Sequence, residues 1–317
     1  MHRRGRWQAR RVHWRGRWQA RSARGAQWSA VTQSQPVAPL GVVVVTYFPG
    51  DTLDRFLDSL EKATTRDVRV VIADNGSTDG APERGAERDG VELLRTGGNL
   101  GYGTAANLGV RALPREVDWV VIANPDLEFK PASLDKLLAA GERWPDGGAF
   151  GPLIRDPAGK IYPSARLLPS LGRGVGHGTL GKIWPGNPWT RAYRQSDTEV
   201  SERPSGWLSG SCQLVRRAAF EQVNGFDQRY FMYFEDVDLG DRLGKAGWRN
   251  VYVPDAEVVH EGGKATEKAS AKMLAAHHHS AYQYLADRYP GPQWVPVLAA
   301  IKTGLDLRLK METRGES

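Results

Sequence analysis

Gly41-Val42-Val43-Val44-Val45-Thr46 and Val68-Arg69-Val70-Val71-Ile72-Ala73-Asp74 are the two runs on which the fold turns. Each is short and rich in β-branched residues. Neither shows the apolar-polar alternation of a strand with one wet face, so each reads as a strand covered on both sides. Between them, Asp51 stands where it can cap a helix, and Leu53, Phe56, Leu57 and Leu60 recur at the spacing of one helical face. Working outward, Val91–Leu94 reads as a third strand. A turn rich in glycine (Gly97, Gly98, Gly101, Gly103) leads into a helix through Ala105, Leu108 and Val110. Trp119–Ala123 is a fourth strand, and Leu134, Leu137 and Leu138 mark the next helix. This alternation predicts an α/β chain with an open, mostly parallel sheet flanked by helices. Ligands of such sheets lie at the carboxyl ends of the strands. Those ends carry Thr46-Tyr47, Asp74-Asn75 and Asn124-Pro125-Asp126, three polar groups expected to converge.

Past Gly148 the alternation weakens. Residues 155–206 are rich in Gly, Pro and Arg (Gly172, Gly174, Gly176, Gly178, Gly181), the composition of long, partly mobile loops. Order resumes with Leu208–Val215, a helix near Arg217–Val223 and a tight turn at Asn224-Gly225. An aromatic run, Tyr230–Phe234, then precedes the acidic group Glu235-Asp236-Val237-Asp238, and a helix is expected over Asp238–Ala246. Val251–Val253 and Glu257–His260 read as two short extended pieces. The expected organisation is a tail over 1–38, two halves of one α/β domain over 39–150 and 151–265, and a helical segment over 266–317.

The chain has 317 residues, with 40% hydrophobic and 25% charged content, which excludes a disordered or collagen-like polypeptide. Its formal charge of +7 is unevenly placed. Nine arginines and no acid lie within residues 1–30, and without them the balance falls to −2. The basic character therefore belongs to a tail, and a general nucleic-acid-binding protein is disfavoured. Within that tail Arg4–Arg10 recurs word for word as Arg15–Arg21, interleaved with Trp7, Trp14, Trp18 and Trp28. Arginine with tryptophan suits single-stranded nucleic acid or an anionic membrane, but the composition favours a disordered, duplicated extension. The longest apolar stretches, Val42–Phe48 and Trp294–Ile301, fall short of the roughly 20 residues of a membrane span. No hydrophobic signal-peptide region follows the N-terminal arginines. Trp294, Val297, Leu298, Ile301 and Leu305, mixed with Lys302, Arg308 and Lys310, instead fit a segment lying in a membrane interface. Cys212 stands alone, so neither an internal disulfide nor a cysteine-built zinc site is available.

Taken singly, the polar clusters have plain structural readings. Asp74–Ser77 is also a common turn composition, and Asn99–Gly103 lacks the full dinucleotide fingerprint. His260 can be a ligand or a structural histidine. His277-His278-His279 lacks the i, i+4 spacing of a helical ligand pair and reads as a polar helix face. Trp207 suits either an acceptor sugar or a core, and Cys212 a packed thiol.

The order and spacing of these clusters resemble the family 2 glycosyltransferases, the inverting class with the Rossmann-like GT-A fold, from Val42 to about His260. The resemblance implies nucleotide-sugar contacts from Thr46, Tyr47, Asp74, Asn75, Asn99, Gly101, Tyr102, Gly103, Asn107 and Asn124. Asp74–Asp79 matches the family's D-N-G-S-T-D block. The D-x-D signature appears as Asn124-Pro125-Asp126, so a divalent metal (Mn²⁺ or Mg²⁺) rests on Asp126, with His260 as a second ligand. The E-D motif is Glu235-Asp236, with Asp236 as the base on the acceptor hydroxyl. Trp207, Ser209, Gly210 and Glu235 are the implied acceptor contacts. The blocks Gly151–Asp156, Tyr162-Pro163-Ser164-Ala165-Arg166, Gly206–Cys212 and Tyr230–Trp248 are most similar to an actinobacterial branch acting on lipid-linked GlcNAc in cell-wall linker synthesis. That branch implies a dTDP-L-rhamnose donor, the 3-hydroxyl of GlcNAc on a polyprenyl (decaprenyl) diphosphate as acceptor, and peripheral attachment to the cytoplasmic face of the plasma membrane. No specific nucleic-acid partner is expected. Three alternatives stand beside it: a family member with another donor or acceptor, a sugar nucleotidyltransferase, and a nucleic-acid- or membrane-binding protein acting through its tail. The nucleotidyltransferase lacks its basic Gly-rich signature in Gly41–Gly50.

Overall fold

In strand β1 (Leu40–Thr46), Val42 and Val44 pack into the core on one face of the sheet while Val43 and Val45 pack into the core on the other. Successive residues of a strand point to opposite faces, so an unbroken valine run is what a strand covered on both sides requires. The computed structural model describes residues 38–171, 200–262 and 270–313. The remaining strands are β2 (Val68–Asp74), β3 (Val91–Arg95), β4 (Trp119–Ala123), β5 (Leu127–Phe129), β6 (Gly147–Arg155), β7 (Ile161–Tyr162), β8 (Ala165–Arg166), β9 (Arg203–Ser205), β10 (Trp207–Leu208), β11 (Cys212–Arg216) and β12 (Arg249–His260). The helices are α1 (Thr52–Ala63), α2 (Ala81–Gly85), α3 (Tyr102–Ala112), α4 (Ser133–Arg143), α5 (Arg217–Gln222), α6 (Glu235–Lys245), α7 (Ser270–Arg288) and α8 (Val295–Thr313).

The main sheet runs β3-β2-β1-β4-β11-β6-β12-β5. Strands β1 to β4 are parallel, as are β6 and β12, whereas β11 opposes both its neighbours and β5 opposes β12. The expected mostly parallel α/β sheet is present, with an antiparallel strand at its centre. Helices α1 and α4 cover one face through Leu53, Phe56, Leu134 and Leu137. On the other face lie Ala105, Ala106 and Val110 of α3 with Leu239 and Leu243 of α6. The 150/151 line falls inside β6, so the two expected halves share one sheet. A separate β8–β10 ladder stands beside it.

Several local expectations are corrected. The two extended pieces near the C-terminal half are one strand, β12, with a register shift between Val253 and Glu257 that lets it follow β6 and then reach β5. Helix α6 starts at Glu235, not Asp238. Asp51 occupies the cap position of α1 but makes no side-chain cap bond. The glycines of 172–181 and the whole Arg/Trp repeat lie outside the described residues. Trp294, just before α8, is half-buried; within α8 Leu298 is buried and Ile301 and Leu305 are half-buried, so the large apolar residues exposed there are Val295, Val297, Leu307 and Met311.

Helix α3 lies so close to β1 that a β-carbon on Gly109 would fall 2.4 Å from Val43 Cγ1. Alanine improves intrinsic helix propensity by about 1 kcal/mol over glycine, but overpacking a core costs about 1–3 kcal/mol. Gly109→Ala is therefore expected to destabilise the protein, measured as a lower urea midpoint. A raised midpoint would contradict this close packing.

Candidate active site

The carboxyl ends of β1, β2 and β3 lie in register, Thr46 opposite Asp74 and Asp74 opposite Arg95. Asp74 is fully buried and accepts five hydrogen bonds. Thr46 and Ser77 donate hydroxyls at 2.8 and 2.5 Å, Gly76 and Ser77 donate amides at 2.9 Å, and Arg95 donates at 2.5 Å. Burial works to raise its pKa, but the Ser77 and Thr46 hydroxyls and the two amides outweigh it and hold the carboxyl below its usual range. Asn75 is buried as well. It donates to Gly101 O at 3.2 Å and accepts from the Thr96 hydroxyl at 3.0 Å, joining the 74–77 loop to the glycine turn. The expectation that Asp74 and Asn75 offer free side chains to a nucleotide is thus corrected: both are buried, and their hydrogen bonds run to neighbouring groups of the protein itself. Arg95 was not singled out from the sequence, although its place opposite Asp74 follows once the strand register is known. Tyr47, by contrast, is exposed at the end of β1, edge-on to Phe48.

The glycine turn carries the second group. Asn99 is exposed and its side-chain oxygen accepts the Gly101 amide at 3.1 Å. Gly101 has φ +85°, and a β-carbon there would lie 2.2 Å from Phe231 O, so only glycine fits. Gly103 is pressed against Phe226 in the same way. The Tyr102 hydroxyl donates to Gly210 O at 2.5 Å. Burial, followed by the charge of Glu235, raises the Tyr102 pKa well above normal, so the hydroxyl remains a donor. Asn107 corrects a second expectation. It is buried, donates to Phe226 O at 2.7 Å and accepts the Phe226 amide at 2.9 Å, which leaves it as a strut between the halves rather than a nucleotide contact.

At the end of β4, Asp126 Oδ1 and His260 Nε2 lie 3.1 Å apart, both about a fifth exposed (19% and 18%), and Asn124 Nδ2 stands 3.4 Å from the same imidazole nitrogen. Burial works to raise the Asp126 pKa, but the hydrogen bond and charge of His260, with backbone amides, hold it below the usual range. An ionised carboxylate beside an imidazole is a donor pair suited to a divalent ion of the Mn²⁺ type. Among the described residues no cluster of three His, Cys, Asp or Glu converges, so the remaining ligands of such an ion would be water or ligand oxygens.

The acidic motif lies at the start of α6. Tyr233 and Phe234, just before it, both adopt left-handed backbone (φ 66° and 64°), a conformation costing about 1–3 kcal/mol per residue. Packing holds them there. Phe234 joins the cluster of Tyr230, Val237 and Tyr284, His277 meets both rings edge-on, and the Ser280 hydroxyl grips Met232 O at 2.9 Å. His278 is buried, so the histidine triplet is not a uniformly polar face.

Asp236 Oδ2 accepts the Gly210 amide at 2.8 Å, and Oδ1 accepts the Val237 amide at 2.8 Å. Burial raises its pKa, and the two amides and the charge of Arg166 work against that rise. Glu235 is 8% exposed, and its Oε2 has no partner among the described residues. Burial, then the neighbouring charge of Asp236, pushes its pKa up to about 8. Asp238 pairs with Arg242, whose guanidinium also donates to Val223 O and Gly225 O, so it serves the fold. Ser209 is buried and its hydroxyl faces that of Ser211 at 3.1 Å. Trp207 donates to Leu167 O at 3.2 Å and packs against Gly240 of α6. It is committed to that interface, which corrects its expected place among groups free to meet an acceptor. Cys212 is a buried thiol whose pKa burial raises to about 12.

The strand ends of a mostly parallel sheet thus carry an exposed Tyr47, a paired Asp126 and His260, and the acidic start of α6, the arrangement of an α/β fold whose polar groups lie at the carboxyl ends of its strands. The chain belongs to glycosyl transferase family 2: residues 41–223 match that family, and 187–278 match the description "glycosyltransferase like family 2". It is 57% identical over 285 residues to the N-acetylglucosaminyl-diphospho-decaprenol L-rhamnosyltransferase of Mycobacterium tuberculosis H37Rv, covering 87% of this chain and 93% of that one. It is also 30% identical over 251 residues to the Escherichia coli K12 rhamnosyltransferase WbbL, covering 77% and 92%. Among solved structures, a Pyrobaculum calidifontis mannosyltransferase in complex with GDP-Man and Mn²⁺ shares the fold, with TM-score 0.55, 20% identity, and 84% and 70% coverage. The expected family and GT-A fold are both found.

The folded state keeps the Glu235 proton to about pH 8, whereas an unfolded glutamate loses it near its ordinary pKa of 4.5. Unfolding within that window releases a proton, so this group lowers stability as pH rises through it. Glu235→Gln is expected to stabilise the protein increasingly from pH 5 to pH 8, by about 1–3 kcal/mol at the upper end. Urea titrations at both pH values test this, and a pH-independent difference would place the raised pKa elsewhere.

Proposed function

We propose that this glycosyltransferase moves L-rhamnose from dTDP-L-rhamnose to the 3-hydroxyl of GlcNAc on a polyprenyl diphosphate. The observation that carries the reading is the 57% identity to the mycobacterial rhamnosyltransferase across 93% of that relative. In the proposed reaction, the acceptor oxygen attacks the rhamnose anomeric carbon and its proton passes to the Asp236 carboxylate. The bond to the dTDP oxygen breaks, and the electron pair leaves with the nucleotide. Asp236 suits this role because the Gly210 and Val237 amides fix both its oxygens while it remains partly exposed. Glu235, held protonated beside it, spares the pair a second negative charge.

On the donor side, Tyr47 offers an exposed ring to the base, and the glycine turn 99–103 offers backbone to the diphosphate. Asp126 and His260, with Asn124 beside them, would hold a divalent cation. That ion supplies charge neutralisation for the departing nucleotide diphosphate. Ser209 and Gly210 lie on the acceptor side. For the lipid acceptor we infer peripheral membrane contact through the exposed apolar residues of α8. No helix among the described residues is long and apolar enough to cross a membrane.

A panel of nucleotide sugars with GlcNAc-diphospholipid tests this reading. Rhamnosyl transfer is expected from dTDP-L-rhamnose, falling about 10²–10⁴-fold in kcat for Asp236→Asn with little change in donor KM. Transfer of a different sugar would overturn the donor assignment, and near-normal turnover in the variant would overturn the base. Asp126→Ala is expected to raise the Mn²⁺ or Mg²⁺ concentration needed for half-maximal activity. Full wild-type activity in EDTA would remove the metal role.

A further inference from the structure

We propose that Arg166, held between Tyr162 and Trp207, binds the diphosphate of the acceptor. The inference rests on the acceptor reading given above and names a group within it. Arg166 ends β8 and pairs with Trp207 of β10 across the small ladder. Its guanidinium carbon lies 5.7 Å from the centre of each of the two rings, and Nε donates to Pro163 O at 3.0 Å. Two aromatic rings and one tethered nitrogen restrict the plane and direction of the group. Its terminal nitrogens make no hydrogen bond among the described residues, and no carboxylate there lies within ion-pair distance. Many arginines of the chain are by contrast neutralised, Arg55, Arg95, Arg155, Arg229, Arg242 and Arg288 each pairing with an acid. A half-buried, stacked guanidinium with a free two-nitrogen edge is suited to a phosphate, which accepts it in bidentate fashion.

Its position selects which phosphate. From Trp207, the same short segment continues to Gly210, whose amide holds Asp236. Arg166 is also close enough for its charge to act on Asp236. In GlcNAc diphosphate the reacting 3-hydroxyl and the anomeric diphosphate lie across one pyranose ring from each other. The base and a cation on its acceptor side match that arrangement. The donor diphosphate belongs instead with Asp126, His260 and the glycine turn.

The test compares two acceptors, GlcNAc α-diphosphoryl citronellol and octyl α-GlcNAc, with wild type and Arg166→Gln. Wild type is expected to prefer the diphosphate acceptor in kcat/KM, and that preference should shrink about 10- to 100-fold in the variant, through acceptor KM. The dTDP-L-rhamnose KM should stay within about twofold. An undiminished preference overturns the proposal, as does a rise confined to donor KM, which would assign Arg166 to the nucleotide diphosphate. If Arg166→Gln does not fold, Arg166→Lys keeps the charge without the planar edge and should show an intermediate preference; a preference equal to wild type in that variant likewise overturns the bidentate role. Failure of wild type to glycosylate either GlcNAc acceptor would instead reject the acceptor reading itself.

Discussion

The backbone of Gly101 approaches Phe231 so closely that one added β-carbon would sit 2.2 Å from its carbonyl oxygen. Most of the site depends on that contact. The Tyr102 amide donates to the same carbonyl at 3.2 Å, and the Tyr102 hydroxyl reaches Gly210, whose own amide fixes Asp236. One helical turn further, Asn107 clasps both backbone groups of Phe226. The glycine turn is thus the surface against which the carboxylate loop is set.

The carboxylates around this junction differ according to how completely their charge is met. Asp74 has five donors and is held ionised in full burial, which makes it a structural anion. Asp126 has an imidazole beside it and remains partly open, the condition for sharing its charge with a cation. Asp236 has two amides and keeps an exposed edge. Glu235 has a buried oxygen without a partner among the described residues, and burial together with the neighbouring charge keeps it neutral. The same functional group thus takes four states, set by desolvation against hydrogen bonding.

Helix α7 lies beyond the strand ends but governs the site through packing. Tyr284 and Ser280 brace the loop in which Tyr233 and Phe234 hold left-handed backbone, and Arg288 pairs with Asp241 on α6 at 2.6 Å. Strain at the entry to α6 is therefore offset by contacts from a segment far along the chain. Loss of α7 would release that loop even with every residue of the acidic motif unchanged.

Much of this was legible in the sequence because it is local. A valine run without alternation signals a strand buried on both faces, and the spacing of Leu53, Phe56, Leu57 and Leu60 signals the helix that covers it. Strand order then places Thr46, Asp74 and Asp126 at one edge of the sheet. Motif order carried the family. Residue type does not reveal which polar groups are already satisfied, because their partners come from distant segments. Asp74 and Asn107 read as ligand contacts until Arg95 and Phe226 are seen to bond them, and Trp207 reads as a free sugar platform until its indole is seen to donate to Leu167 O and its backbone to meet Gly240 of α6. Arg166 shows the opposite case. It was one basic residue in a quoted block, and only the tertiary structure sets it within 5.7 Å of two ring centres, on the segment that leads to Asp236, with no acid paired to it among the described residues.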